Sequence, residues 1–340
     1  MSHIKNFLEL NAAKMYQEKV NQSRCRAPRL VVTIAMLLGA GSSSNLAALD
    51  TINVSYPSPA PFYIPVAVAI HQGFFRDQNL DVKLIVTRAE VDRAALISGD
   101  IDFTLRIGST ILSAARGLPV RTVFLTTLKP FWSLVVRPEV NSVAELKGKV
   151  IGSGGIAGSH YGTTKVILRK HGLDPDKEVT LKFVGPGERI PAVLSKSIDG
   201  VLMDYGEALR ARKMGLKLLL NAADHYSLAS AGVGVSQKNM RERPELTKRF
   251  LRAQLQGLRF LREQRDRTVN AMASFLKTDK EIADGVYQLS VNNFTKDGML
   301  DDASLKPLVD DQLAGINPKE APLAQMFDFN LLQQILKESR

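Results

Sequence analysis

The sequence predicts an α/β protein of two lobes, each a mostly parallel sheet flanked by helices, and two observations carry that expectation. Strand-like apolar stretches alternate with helical stretches that end at glycine, from Ile52 to Ser236. The pattern also repeats about 97 residues apart. Ile97-Ser98-Gly99-Asp100-Ile101-Asp102-Phe103-Thr104-Leu105 is answered by Leu194-Ser195-Lys196-Ser197-Ile198-Asp199-Gly200-Val201-Leu202, both reading aliphatic-Ser-x-x-Ile-Asp-x-x-Leu. Val82, Leu84 and Val86 are matched at the same offset by Val179, Leu181 and Phe183. Two matches in one register mark duplicated supersecondary units.

Ile52 to Ser55 reads as a short strand, and the prolines Pro57, Pro59 and Pro61 make the loop after it. The helix from about Phe62 tolerates Pro65 in its first turn and stops at Gly73. Leu80 to Val86 alternates as a strand does, Glu90 to Ser98 is a helix closed by Gly99, and Ile101 to Leu105 is a strand. Ser109 is read as the cap of a helix ending at Gly117, and Val120 to Leu125 as a fourth strand. The second lobe opens with the capping box Ser142-Val143-Ala144-Glu145, closed by Gly148. Strands at Val150-Ile151, Val179 to Val184, Gly200 to Met203 and Leu216 to Leu220 surround a helix from about Ser159 to His171. Val233 to Ser236 is a last strand, after which Leu246, Phe250, Leu251, Leu255, Leu258 and Leu261 fall at helical spacing. These residues are expected to return to the first lobe. Crossings near Ser133 to Arg137 and Ala231 to Gly234 then divide the chain into residues 50–135 with 233–340, and 137–231.

Hydrophobic residues make up 45% and charged residues 23% of the 340, a globular balance. Part of the +11 net charge belongs to residues 1–48, where six cations face two anions, leaving +7 for the rest. Arg24, Arg26 and Arg29 precede the apolar stretch Leu30 to Ala40 and the small residues up to Ala48, the order of a cleaved export signal. The one cysteine, Cys25, lies ahead of that stretch, so the mature chain is expected to hold neither disulfide nor thiolate metal site.

In such sheets ligands sit beyond the carboxyl ends of the strands. That rule selects the loops holding Pro59 and Phe62, Arg106 with Ser109 and Thr110, Thr127 and Trp132, then Ser159, His160 and Tyr161, Glu188, and Asp204 with Tyr205. Ser109 and Ser159 stand at helix starts whose free N–H groups favour anions, with Arg106 beside the first. Phe62, Trp132, Tyr161 and Tyr205 offer flat walls. The plain readings stay beside these: Ser109 as a cap alone, Arg106 as an ion-pair partner, Trp132 and Tyr205 as core. Gly152-Ser153-Gly154-Gly155-Ile156-Ala157 satisfies G-x-G-x-x-A, but Val184 and Gly185 stand where a ribose-binding acid belongs, so no dinucleotide cofactor is expected. His3, His71, His160, His171 and His225 show no ligand spacing, and hydrolase, zinc-protease and Walker motifs are missing. The basic stretch Arg241 to Arg267 reads as a solvated helix face rather than a nucleic-acid surface.

Ile64-Pro65-Val66-Ala67-Val68-Ala69-Ile70-His71-Gln72-Gly73-Phe74-Phe75, then Asn79-Leu80-Asp81-Val82 and Ala95-Leu96-Ile97-Ser98-Gly99-Asp100-Ile101-Asp102-Phe103 resemble one known group. It is the sulfonate, nitrate and thiamine-precursor group of periplasmic solute-binding proteins of ABC importers. Gly117-Leu118-Pro119-Val120, Leu146-Lys147-Gly148-Lys149-Val150-Ile151-Gly152 and Gly172-Leu173-Asp174-Pro175 extend the resemblance, over roughly residues 50 to 260. It implies a type II binding-protein fold that closes its lobes on a small organic anion or heterocycle and hands it to a membrane permease. A monomer in the periplasm, with no cofactor and no catalysis, is the corresponding expectation. Two departures stand out: Arg106-Ile107-Gly108 where smaller residues are common, and Ser195-Lys196-Ser197 in place of a glycine turn. Members that make the thiamine pyrimidine carry a cysteine-rich motif that this chain lacks. An enzyme on the same fold, or a ligand-sensing domain, are the competing readings.

Overall fold

Apolar alternation resolves into two five-stranded sheets in the computed structural model, which describes residues 48–155, 159–227, 231–313 and 321–338. The expected leader, apart from Ala48, lies outside the described residues. The strands are β1 Asp50–Tyr56, β2 Leu80–Val86, β3 Phe103–Thr104, β4 Val120–Leu125, β5 Trp132–Val136, β6 Val150–Ser153, β7 Thr180–Phe183, β8 Gly200–Asp204, β9 Lys217–Asn221 and β10 Gly232–Ser236. Their orders are β2-β1-β3-β10-β4 and β7-β6-β8-β5-β9. Moving about 97 residues along the chain converts β1, β2, β3 and β4 into β6, β7, β8 and β9, so one arrangement is built twice. In each sheet four strands share a direction. The fifth, β10 or β5, runs against its neighbours.

The crossing expected at Ser133 to Arg137 is a strand instead. Ser133 pairs with Met203 and Asn221, and Leu134, Val135 and Val136 are buried, because an apolar run without turn residues has more to gain in a sheet than in a linker. The chain passes between the sheets over residues 126–131 and again over 222–231. The predicted strand Ile101 to Leu105 is shorter, Phe103–Thr104, because Asp102 turns its carboxyl group onto the neighbouring backbone.

That aspartate explains the repeated motif. Asp102 Oδ2 accepts from Asn53 N at 2.9 Å while Asp102 N donates to Asn53 O at 2.9 Å. At the corresponding place Asp199 Oδ2 accepts from Val150 N at 2.9 Å and Asp199 N donates to Val150 O at 2.7 Å. The other carboxylate oxygen meets an arginine from the chain beyond the antiparallel strand: Arg243 for Asp102 and Arg137 for Asp199, each at 2.6 Å. One side chain thus ties together the first, third and antiparallel strands of its sheet. The turn before it requires a left-handed residue, supplied by Gly99 (φ 95°) in one copy and by Lys196 (φ 62°) in the other.

The helical C-terminal region packs against the first sheet. Helix Pro244–Glu263 buries Leu246, Phe250, Leu251, Leu255, Leu258 and Leu261, and Phe250 stacks on Phe103 at 4.1 Å. An added Cβ on Gly257 would lie 2.3 Å from Pro65 O, so glycine lets this helix touch helix Ile64–Gln72 backbone to backbone. The basic stretch is largely engaged within the fold: Arg249 meets Asp50, Arg252 meets Glu338, Arg265 meets Asp284, and Arg262 donates to Phe294 O at 2.8 Å. Helix Lys280–Ser290 reaches across to helix Tyr205–Lys213, where Lys213 meets Glu281 at 2.7 Å. Among the described residues no helix is long and apolar enough to cross a membrane.

Two outcomes are expected. Lys196→Gly removes a left-handed strain of about 1–2 kcal/mol against the entropy glycine adds to the unfolded chain. Denaturant titration should therefore show a gain of about 0.5–1 kcal/mol. Asp199→Asn leaves the largely buried Arg137 with only the exposed Glu139, 3.1 Å from its Nε, and should cost about 3 kcal/mol. A loss below about 0.5 kcal/mol, the level of an ordinary surface change, would show the tie to be ornamental.

Candidate functional site

Topology places both sets of strand carboxyl ends at one interface. β4 ends at Leu125 and β5, antiparallel to β8, begins at Trp132, so residues 126–131 leave one sheet's carboxyl end and enter the other's. Residues 222–231 do the same between β9 and β10. The loops that select ligands in this class of fold therefore face one another.

On the first sheet, Arg106 follows β3 directly. Its N donates to Thr104 Oγ1 at 3.1 Å and its Nη2 to Thr87 O. Its Nε is enclosed without a partner, and no carboxylate lies within ion-pairing distance among the described residues. Beneath it lies Asp92, 1% exposed, whose carboxyl group accepts from Ser55 Oγ, from Thr104 Oγ1 at 3.0 Å and from Thr87 Oγ1 at 3.4 Å. Tyr63 packs edge-on against Tyr56 at 5.8 Å, and burial pushes its hydroxyl pKa upward, opposed by the nearby Arg106 and aided by Asp92.

Ser109 is not the cap expected of it. Helix Ile107–Ala115 starts two residues earlier, with Arg106 at the cap position, and the hydroxyls of Ser109 and Thr110 turn back to the Arg106 carbonyl at 3.1 and 3.0 Å. Thr127 is fully buried. Its Oγ1 accepts from Ala231 N at 3.1 Å, pinning the two crossings together.

On the second sheet, His160 is fixed through both ring nitrogens. Nδ1 accepts from Gly154 N at 3.0 Å and Nε2 donates to Leu202 O at 2.9 Å. Burial, then the charge of Arg189, lowers its pKa to about 4, so the ring is neutral at physiological pH. Arg189 meets Glu207 at 3.0 Å, with both side chains under a tenth exposed. Burial raises the Glu207 pKa even against its arginine. Asp204 caps helix Tyr205–Lys213, Oδ1 accepting from Glu207 N at 2.9 Å. The glycine loop serves this packing: a Cβ on Gly154 would lie 3.1 Å from His160 Cγ, and one on Gly152 2.8 Å from Ile198 Cδ1.

Rings join the two sides. Phe62 stacks on Phe131 at 4.9 Å, and Phe131 on Tyr205 at 5.7 Å. Phe62 also meets the half-buried Trp132 at 5.5 Å, and Trp132 meets His160 at 5.6 Å. Tyr205 is a core residue at 1% exposure, its hydroxyl accepting from Asn293 Nδ2 at 3.3 Å.

Of the other expected residues, Pro59 and Glu188 are exposed, and Tyr161 packs with Lys165, whose ammonium lies 5.2 Å from its ring centre. Ser159 begins helix Ser159–Lys170; its side chain lies outside the described residues. The structure thus gathers Phe62, Arg106, Trp132, His160, Asp204 and Tyr205 around the strand ends, and adds Thr87, Asp92, Phe131, Arg189 and Glu207. His171 and His225, expected to be unrelated, touch at 4.8 Å, yet no group of three potential metal ligands exists among the described residues. A groove of about 570 Å³ lies elsewhere, between β9 and helix Lys280–Ser290, lined by Leu209, Leu218 and Gly285.

The model of NMT1/THI5-like proteins matches residues 60–268. The chain belongs to the NMT1/THI5-like family. A riboflavin-binding protein, RibY, of Chloroflexus aurantiacus is 27% identical over 221 residues, 61% of each chain. A 4-amino-5-hydroxymethyl-2-methylpyrimidine phosphate synthase of Candida albicans is 26% identical over 209 residues, 57% of this chain and 62% of its own. The matched segments thus span about three-fifths of these family members. The periplasmic aliphatic sulphonate binding protein SsuA of Escherichia coli superimposes with a TM-score of 0.68 at 17% identity, over 84% of this chain and 99% of its own. That likeness gives the fold, the two-lobed periplasmic-binding-protein fold.

His160 yields a pH signature. Its folded pKa of about 4 lies below the ordinary 6.5, so the unfolded chain takes up the proton first. Its contribution to stability is complete above pH 6.5 and is lost as pH falls toward 4. Melting temperatures between those limits should fall less steeply for His160→Gln than for the parent; identical slopes would refute the assignment.

Proposed function

We propose that this chain is the extracytoplasmic solute-binding component of an ABC importer, capturing a small organic anion with a flat apolar body between its lobes and presenting it to a membrane permease. The lobes of this reading are residues 50–131 with 232–338, and residues 132–227. The observation that carries it is Arg106, a half-buried cation at a strand's carboxyl end with no carboxylate within ion-pairing distance among the described residues, unlike Arg137 and Arg189. A guanidinium without an internal anion is suited to an anionic acceptor from outside the protein. Phe62, Trp132 and the neutral ring of His160 supply the apolar side.

The basic, apolar and small segments of residues 1–48 support export, and the family includes a protein named for binding riboflavin, a flat heterocycle. The synthase names in the same family favour catalysis less in this chain, since both nitrogens of His160 are already engaged and Glu207 is held by Arg189. No cofactor, metal or nucleic acid enters the reading, and a monomer suffices for it.

Thermal-shift screening of alkanesulfonates, aromatic carboxylates, nitrate, pyrimidines and riboflavin should find a stabilising solute, since occupancy at 100 times the dissociation constant adds about 2.7 kcal/mol. Calorimetry should then show Arg106→Ala weakening that solute by about ten- to a hundredfold. Trp132→Ala should weaken an aromatic solute more than an aliphatic one. Unchanged affinity in Arg106→Ala would remove the anion from the proposal.

A further inference from the structure

The repeat supplies an internal control for the hydrogen bonds around Arg106. Asp92 is 1% exposed and collects hydroxyls from three segments: Ser55 near the end of β1, Thr87 just after β2 and Thr104 at the end of β3. Two of those residues hold Arg106, Thr104 through Oγ1 to its backbone N and Thr87 through its carbonyl to Nη2. Advancing each position by 97 residues shows what the same scaffold does without them. Ser55, Thr87, Asp92, Thr104 and Arg106 become Gly152, Val184, Arg189, Val201 and Met203. The second sheet therefore lacks the acid, all three hydroxyls and the cation together, and its strands still pair in the same order. A buried acid satisfied only by hydroxyls is not required to build this sheet.

From this co-occurrence we infer that Asp92 is the positioning residue of Arg106. It acts through Thr104 and Thr87 to hold the guanidinium at the strand ends. The chemistry is directional. A hydroxyl that donates to the Asp92 carboxyl group turns a lone pair outward, so Thr104 Oγ1 accepts from Arg106 N. Thr87, fixed by the same carboxyl group, keeps its carbonyl aimed at Nη2. Such relays strengthen each bond in the chain. The inference rests on the reading of Arg106 as the anion-binding group, and it assigns what sets that group's geometry.

The test needs no solute. Phenylglyoxal modifies arginine side chains, and peptide mass spectrometry reports the rate at each one. Asp92→Asn and Thr104→Val should each raise the rate at Arg106 by about tenfold, the smaller end of what a hydrogen bond to a charged group is worth. The exposed Arg259 should react at its original rate in both variants. Thr104→Ser, which restores the hydroxyl, should return Arg106 to the parent rate. Should Asp92→Asn fail to fold, Thr104→Val carries the test, because the repeat already tolerates valine at Val201. Unchanged labelling of Arg106 in a folded variant overturns the inference. So does equal acceleration at Arg259, which is general loosening, or a Thr104→Ser rate as high as that of Thr104→Val. A failed solute screen with labelling as expected would instead count against the anion reading alone.

Discussion

Asp102 and Asp199 each bond a carboxylate oxygen to a backbone N–H at the edge of the first strand of their sheet, and both sheets depend on it. In parallel sheets register is set by distant segments, since each crossover brings its strand back from far along the chain. A one-residue slip would turn every apolar side chain to the wrong face. The aspartate removes that freedom by adding one fixed rung, and the arginine on its other oxygen extends the constraint to the antiparallel strand. Once register is fixed, the carboxyl ends of the strands come level, and loops such as Arg106 to Thr110 have a defined floor.

On that common floor the two sheets have taken different electrostatic solutions. The first buries an acid among hydroxyls and leaves a cation reaching past it; the second buries an arginine against a glutamate and locks a neutral imidazole above them. Charge buried in a closed pair is silent toward a ligand, because its field is spent on its partner. Under the proposed function, this asymmetry would assign charge selection to the first sheet and a passive wall to the second.

Much of this was legible in the residues. β2 falls where alternation put it and β4 where the fourth strand was expected, the capping box at Ser142 forms its bond with Glu145 N, and Gly73, Gly99 and Gly172 take the left-handed conformation their positions demanded. The repeat offset reported the duplicated sheet before any topology was known. β5 escaped because a five-residue run with four apolar residues and Ser133, between two strands, looks like a buried linker, and only pairing with β8 and β9 shows otherwise. Ser109 misled because serine, threonine and arginine at a helix start each have a local bond to make, and here the serine chose the carbonyl behind it. Asp92 and Glu207 were hidden for a different reason. An acid in the first turn of a helix reads as a complement to the helix dipole, and its burial is decided by strands far away in sequence.

The stack of Phe62, Phe131 and Tyr205 runs from the first sheet, through a crossing segment, into the first turn of a helix of the second. Parallel rings resist being pulled apart, which exposes two apolar faces to water, far more than they resist sliding over one another. Phe131 is also held edge-on by Phe294 at 5.1 Å, and Phe62 by Trp132 at 5.5 Å, so the crossing segment is wedged from several directions. Phe131 is the keystone of that joint: taking its ring away would open an apolar face on Phe62 and another on Tyr205 at once.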